Sequence, residues 1–334
     1  MAGVSTPAMA AAVSNAGALG AIAVGATDVD GARRMIAETR ALTDRAFNVN
    51  VFVHRTPTPD PAREARWLDA LRPEFARYEA EPPPSLRTIY TSFADDPAMQ
   101  ALLVETAPAV VSFHFGLPDA GVVSALKAKG SILLATATSP AEAQTIRSAG
   151  VDGVVAQGYE AGGHRGMFDP AAPDDRLGTL ALTRLLAAQG GLPVIAAGGI
   201  MDGQGIRAAL DLGAVGAQLG TAFIACPESA ADAAYRQALA SQAVFHTVMT
   251  DAVSGRPARC LANRFTAWGE SASASRPDYP IAYDAGKALN AAAKAAADSG
   301  WGAQWAGQGA PLSRSLPAAE LVETLWREAS IITS

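Results

Sequence analysis

Two cysteines, four histidines and 6% aromatic residues are what this 334-residue chain has least of, and each scarcity removes a class of protein. Cys226 and Cys260, far apart in sequence, supply neither a disulfide framework nor a metal-ligand cluster. They read as small apolar residues in a reducing cytosol, and no metal site is expected. Basic residues are also in deficit: 26 Lys and Arg against 32 Asp and Glu give a formal net charge of -6. A surface for phosphate backbones is therefore missing, and no nucleic-acid partner is expected. The longest apolar stretch, Ala8 to Ala26, is broken by Ser14, Asn15, Gly17, Gly20 and Gly25, and no basic segment precedes it. It reads as helix, turn and strand; no membrane span or signal is expected.

What is present is 49% hydrophobic residues with 31 glycines, a composition that suits parallel strands covered by small-residue helices. Short β-branched runs recur, each followed by an alanine-rich stretch with helical spacing, which is βα repetition. The strand candidates are Ala18 to Val24, Phe47 to Val53, Ala109 to Phe115, Ile132 to Ala137, Gly153 to Gln157, Pro193 to Gly198 and Ala214 to Ala222. Ser139-Pro140-Ala141-Glu142 predicts a capped helix start, stopped at Gly150. Ser5-Thr6-Pro7-Ala8 predicts another, running to about Asn15 with Gly17 as terminator. The expected fold is α/β, a TIM (β/α)8-type barrel lacking its first strand, which would belong immediately upstream of Met1. Ile89 to Phe93 competes for the eighth strand, but Pro82-Pro83-Pro84 favours an edge or lid segment there. Beyond Cys226 alanine-rich helices (Ala230 to Val244, Ala285 to Ala297) replace βα alternation. Residues 1–226 are thus expected to form the barrel, and 227–334 a C-terminal helical cap whose last helix, Pro317 to Ala329, packs back on it.

Three strand ends carry chemistry. Ala196-Ala197-Gly198-Gly199-Ile200 and Gly216-Ala217-Gln218-Leu219-Gly220-Thr221 sit one βα unit apart. Glycines there let backbone amides approach an anion, and paired loops after the last two strands form the usual phosphate site of such barrels. The third is Ala156-Gln157-Gly158-Tyr159-Glu160-Ala161-Gly162-Gly163-His164-Arg165-Gly166, where a histidine between glycines predicts a mobile, ligand-accessible group titrating near neutrality. His114, in Val111-Ser112-Phe113-His114-Phe115-Gly116, reads equally as a satisfied rim residue. His54 and His246 carry no local pattern and receive no role.

These segments, with Thr6-Pro7-Ala8, Val13-Ser14-Asn15-Ala16-Gly17 and the Trp305-Ala306-Gly307-Gln308-Gly309 tail, together resemble the nitronate monooxygenases, formerly 2-nitropropane dioxygenases, in their bacterial class I branch. The resemblance implies an FMN-dependent oxidation of alkyl nitronates, notably propionate 3-nitronate, by O2 to a carbonyl product and nitrite. It implies FMN contacts at Asn50, Gln157, Gly162, Gly199, Gln218, Leu219, Gly220 and Thr221, and a catalytic His164. Tyr90, Tyr235, Tyr279 and Lys287 look like the substrate-side residues. Lys287, protonated His164 and Arg165 are the expected local cations for an anionic substrate on an acidic protein. Where the family has a first-strand loop resembling Pro-Met-Ala-Gly-Gly, this chain has Met1-Ala2-Gly3. A flavin-dependent NAD(P)H reductase, of the enoyl-acyl carrier protein or quinone type, and a non-catalytic FMN- or phosphate-binding protein are the competing readings. The sequence does not fix the oligomeric state.

Overall fold

In the computed structural model, which describes residues 1–330, seven of the ten strands form one curled parallel sheet. They are β1 (Gly20–Ala23), β2 (Phe47–Phe52), β3 (Val110–His114), β4 (Ile132–Ala137), β5 (Gly153–Gln157), β7 (Val194–Ala197) and β8 (Gly216–Gln218), neighbours in that order. Every sequence-derived strand candidate contains one of these strands, although the last, Ala214 to Ala222, keeps only Gly216–Gln218 and ends in a 3-10 turn, Thr221–Phe223; the sheet is of the TIM-barrel type. Sequence order equals spatial order because each crossover returns over the same face through a helix. α1 (Pro7–Asn15) precedes the first strand, and the crossover helices are α2 (Val29–Leu42), α3 (Pro61–Ala76), α4 (Pro97–Thr106), α5 (Ala120–Ala128), α6 (Pro140–Ser148), α7 (Thr179–Gln189) and α8 (Gly203–Asp211). The capping signals hold: Thr6 accepts from the Met9 amide ahead of α1, and Ser139 accepts from the Glu142 amide ahead of α6. Gly17 and Gly150 follow the two helices at positive φ, where a side chain would be strained.

Period-two alternation assigns each strand residue a face. On β2 and β3, Val49, Val51, Val111 and Phe113 point outward into the main core with Ile22, Leu133, Ala135 and Val154. Full burial of each such large aliphatic or aromatic side chain contributes roughly 1.5–3 kcal/mol. The other set, Asn48, Asn50, Ser112, His114, Thr136 and Gln157, lines the inner face, and its polar members crowd toward the carboxyl ends of the strands.

Ile89 to Phe93 forms no strand; only a 3-10 turn, Phe93–Asp95, follows it. The region after Cys226 is not purely helical. Between α9 (Ala233–Leu239) and α10 (Arg264–Ser271) lies a hairpin, β9 (Thr247–Thr250) and β10 (Ala258–Leu261). It recruits β6 (Gly163–His164) into a three-stranded antiparallel sheet. The predicted helix over Ala230 to Val244 is broken at Ser241, whose hydroxyl caps a following 3-10 turn. Two helices complete the chain, α11 (Ile281–Ala295) and α12 (Ala318–Ser330). α12 lies against α8 and α1, so closely that a Cβ on Gly203 would meet the Ala329 amide nitrogen at 2.3 Å. α3 shares a second core with the C-terminal region, where Trp67, Leu71 and Phe75 pack with Phe265, Leu289 and Trp301.

Candidate active site

The inner polar row is tied together before any ligand is considered. Asn50 Nδ2 donates to Ser112 Oγ at 2.9 Å, and Asn48 Nδ2 to the same oxygen at 2.8 Å. Gln157 uses both ends of its amide on the segment that carries His164: Nε2 donates to the His164 carbonyl at 3.0 Å and Oε1 accepts from the Gly166 amide at 2.7 Å. His114 Nε2 lies 3.2 Å from that same carbonyl and Nδ1 lies 3.0 Å from Thr136 Oγ1, so His114 is the satisfied rim residue its context allowed.

His164 is not on a mobile loop. It sits in β6, paired with Ala258 of the hairpin, and its ring is enclosed by Phe115 (5.7 Å between centroids), Tyr279 (5.2 Å), Tyr283 (6.2 Å) and Trp305 (4.9 Å). Burial first, then the Arg256 guanidinium and the rings of His114 and His54, push its pKa down to about 3, so it is neutral near pH 7. The expectation of a histidine titrating near neutrality and serving as a cation is therefore overturned: a charged imidazole would have to lose its water beside a fixed positive charge. Arg165 is not available either. Its guanidinium is buried and forked onto Asp174, 2.9 Å from each carboxylate oxygen, and donates to the Gln157 carbonyl at 2.6 Å.

The cations actually present are Lys287 and Arg256. Lys287 Nζ lies over the rings of Tyr90 (5.0 Å) and Tyr283 (5.3 Å), and burial lowers its pKa. Arg256 is buried, stacks 4.1 Å from the centroid of Phe115, and leaves Nε without a partner. Neither is in a salt bridge among the described residues. Phe115 itself is held at φ +79°, a strained backbone that turns its ring into the enclosure. Tyr279 is buried with its hydroxyl unpaired, and His54 beside it, 5.0 Å between centroids, has neither ring nitrogen bonded. Both groups keep their hydrogen-bonding capacity free of protein partners among the described residues. His164, Tyr90, Tyr279 and Lys287 are thus brought together. Tyr235 lies at the edge, its hydroxyl donating to the Trp305 carbonyl. From there a cavity of about 340 Å³ runs past Tyr283, Lys287 and Asn290 to the Asp232–Lys294 ion pair.

The two glycine turns also converge. Ala197 is in register with Gln218, so Gly199 and Gly220 each lie two residues beyond a paired position, side by side at the carboxyl edge. The amides of Gly199, Gly220 and Thr221 donate to no protein acceptor among the described residues, and Gly198 and Gly199 both have positive φ. Such a row of free amides has the chemistry to receive an anion. The Trp305 to Gly309 loop closes over it. Gly307 donates to Thr221 Oγ1 at 3.0 Å, Gly162 is so close that a Cβ would meet the Gly307 nitrogen at 2.5 Å, and Gly309 abuts the Gly199 carbonyl. Gln218 is exposed and Leu219 half-buried beside this turn.

The nitronate monooxygenase family model matches residues 1–328. This chain belongs to the nitronate monooxygenase family. It is 63% identical to a nitronate monooxygenase of Paraburkholderia phytofirmans, over 98% of this chain and 90% of that one. It is 56% identical to a nitronate monooxygenase of Pseudomonas aeruginosa, over 98% and 94%. Among solved structures, a nitroalkane oxidase from Streptomyces ansochromogenes superimposes with a TM-score of 0.90 at 42% identity, covering 99% of this chain and 94% of that one. FabK from Thermotoga maritima superimposes at 0.74 with 29% identity, over 98% and 90%. The chain is accordingly an oxidoreductase. Four residues that the sequence reading did not single out for a role, Arg256, Tyr283, His54 and Ser254, lie against this enclosure. Tyr283 falls four residues before Lys287 on α11, a helical spacing that places it beside that lysine. Ser254-Gly255-Arg256-Pro257 reads locally as a turn, and only the hairpin turns it toward His164.

Proposed function

We propose that this chain oxidises alkyl nitronates, propionate 3-nitronate foremost, with O2 and a bound FMN, releasing nitrite and a carbonyl compound in the cytosol. The observation that carries this reading is the pair of cations, Lys287 and Arg256, set without carboxylate partners in an aromatic enclosure of an otherwise acidic protein. Unpaired positive charge at the edge of low-dielectric walls favours a small organic anion. The residues fit FMN: the free amides at Gly199, Gly220 and Thr221 would hold its phosphate, with Asn50, Gln157, Gly162, Gln218 and Leu219 around the rest. FMN, when bound, supplies the electron chemistry between nitronate and oxygen. Residues 1–226 would carry the cofactor and 227–334, with Tyr90, the substrate side.

In this reading Lys287 binds the carboxylate or nitro oxygens, and the unpaired Tyr279 hydroxyl orients them by hydrogen bonding. The aromatic walls exclude water from the reacting atoms. His164, neutral at rest, accepts a proton where a neutral nitroalkane is presented, and the nitronate anion formed in the same step offsets the charge that the ring gains. An absorption spectrum of the purified protein, repeated after anaerobic addition of propionate 3-nitronate, tests the proposal. A yellow protein bleached by the nitronate alone is expected. A colourless protein, or one bleached by NADH and untouched by nitronate, refutes it, and the latter outcome identifies a nicotinamide-fed reductase.

A further inference from the structure

Which nitrogen of His164 carries the proton decides what the ring offers a ligand. Its Nε2 lies 2.9 Å from Ser254 Oγ. Ser254 is completely buried, and its hydroxyl donates to the Arg256 carbonyl at 3.2 Å. A serine hydroxyl has one proton to give and two lone pairs to receive. A carbonyl only accepts, and the Arg256 carbonyl has no other donor among the described residues. With its proton committed there, Ser254 Oγ meets Nε2 as an acceptor, and Nε2 must carry the hydrogen. The reverse arrangement, with the hydroxyl donating to Nε2, strands a carbonyl on a buried turn, which native proteins avoid.

The rest of the residue is fixed to match. The His164 carbonyl is held by Gln157 Nε2, and its ring is wedged by Phe115, Tyr279 and Trp305, which oppose an exchange of the two nitrogens by ring rotation. Nδ1 forms no hydrogen bond with the protein among the described residues. We propose that Ser254 is a positioning residue that locks His164 in the Nε2–H tautomer, so that the Nδ1 lone pair is the atom presented to the ligand. Toward a neutral nitroalkane the step balances simply. Nδ1 takes the α-proton, the C–H bond breaks, and its electron pair stays on the substrate as the nitronate, while Nε2–H remains on Ser254. The inference rests on the proposed role of His164 as proton acceptor.

The test is 15N NMR of the histidine-labelled holoenzyme near pH 7. With four histidines in the chain, the His164 signals are those lost in His164→Asn. The wild type is expected to show a protonated Nε2 and an unprotonated Nδ1. In Ser254→Ala the two nitrogens should shift toward a mixture of tautomers, and Ser254→Thr, which keeps the hydroxyl, should restore the wild-type pattern. With neutral nitroalkanes, kcat in Ser254→Ala should fall about tenfold, recovering in Ser254→Thr. A wild-type spectrum with Nδ1 protonated overturns the proposal, and this arm needs no variant to fold. So does an unchanged spectrum in a folded Ser254→Ala. If the tautomer shifts as expected while His164→Asn keeps full turnover, the lock stands and the role of His164 in the reaction falls.

Discussion

A histidine whose ring is buried beside an arginine behaves as a neutral hydrogen-bonding group, and that changes what each charged residue of the site is for. His164 contributes an acceptor, and the positive charge comes from Lys287 and Arg256. Replacing His164 by Asn keeps a polar side chain of similar reach, so flavin retention should be unchanged while turnover falls at least about tenfold, the usual scale for a lost acid–base group. Steady-state rates with nitroalkanes and nitronates check this, and full activity would remove His164 from the reaction. Lys287→Met preserves the apolar stem over Tyr90 and Tyr283 and deletes only the charge. KM for propionate 3-nitronate should rise, with a smaller effect for a nitronate lacking the carboxylate; an unchanged KM would exclude charge pairing at this position.

Strand alternation and glycine placement build the site at the next level up. Alternation sends Asn50, Ser112, His114, Thr136 and Gln157 to one face, and the parallel arrangement puts the side chains of neighbouring strands at one edge. Glycines then allow the loops to close. Gly309 rests on the rim turn, where an added methyl would sit 2.6 Å from both the Gly199 carbonyl oxygen and Met201 Cγ. Gly309→Ala should therefore push the Trp305 to Gly309 loop off the two glycine turns and weaken retention of the proposed flavin, measured as the flavin-to-protein absorbance ratio after gel filtration. Gly121, in the first turn of α5, is the control, because a methyl added there would meet nothing within 4 Å. Gly121→Ala should leave flavin content untouched and stabilise the fold by about 0.5 kcal/mol through the unfolded chain. Equal flavin loss in both would argue against the loop as a clasp.

Taken across the molecule, the buried histidines make the fold acid-sensitive in a defined window. Burial is the largest cause in each case, and the Arg256 guanidinium adds to it: His54 and His114 are pushed down to about 4 and His164 to about 3. An unfolded histidine titrates near 6.5, so between about pH 6.5 and 4 the unfolded chain binds more protons than the native one, and stability falls as pH drops. Below about pH 3 both states are protonated and these groups contribute no further slope. Urea unfolding at pH 7.5, 6 and 5 should give steadily lower midpoints, before most carboxylates begin to titrate. A flat response over that range would show that the three rings are not buried neutral in solution.

Much of this architecture is written locally. Capping residues, β-branched runs and glycine stops are decided within a few residues of chain, so seven parallel strands, the helix starts at Pro7 and Pro140, and the two glycine turns at the ends of β7 and β8 are legible in the sequence alone. The gathering of His164, Tyr90, Tyr279 and Lys287 was legible only through the family resemblance. The hairpin that captures Gly163–His164 was hidden, since β9 and β10 are four residues each and acquire their partners from distant parts of the chain. Charge was hidden as well. Arg165 and Arg256 are the same residue type, and it took long-range packing to fork one onto Asp174 and leave the other over Phe115 with the Met167 carbonyl and no carboxylate, because desolvation and ion pairing depend on neighbours that no local pattern specifies.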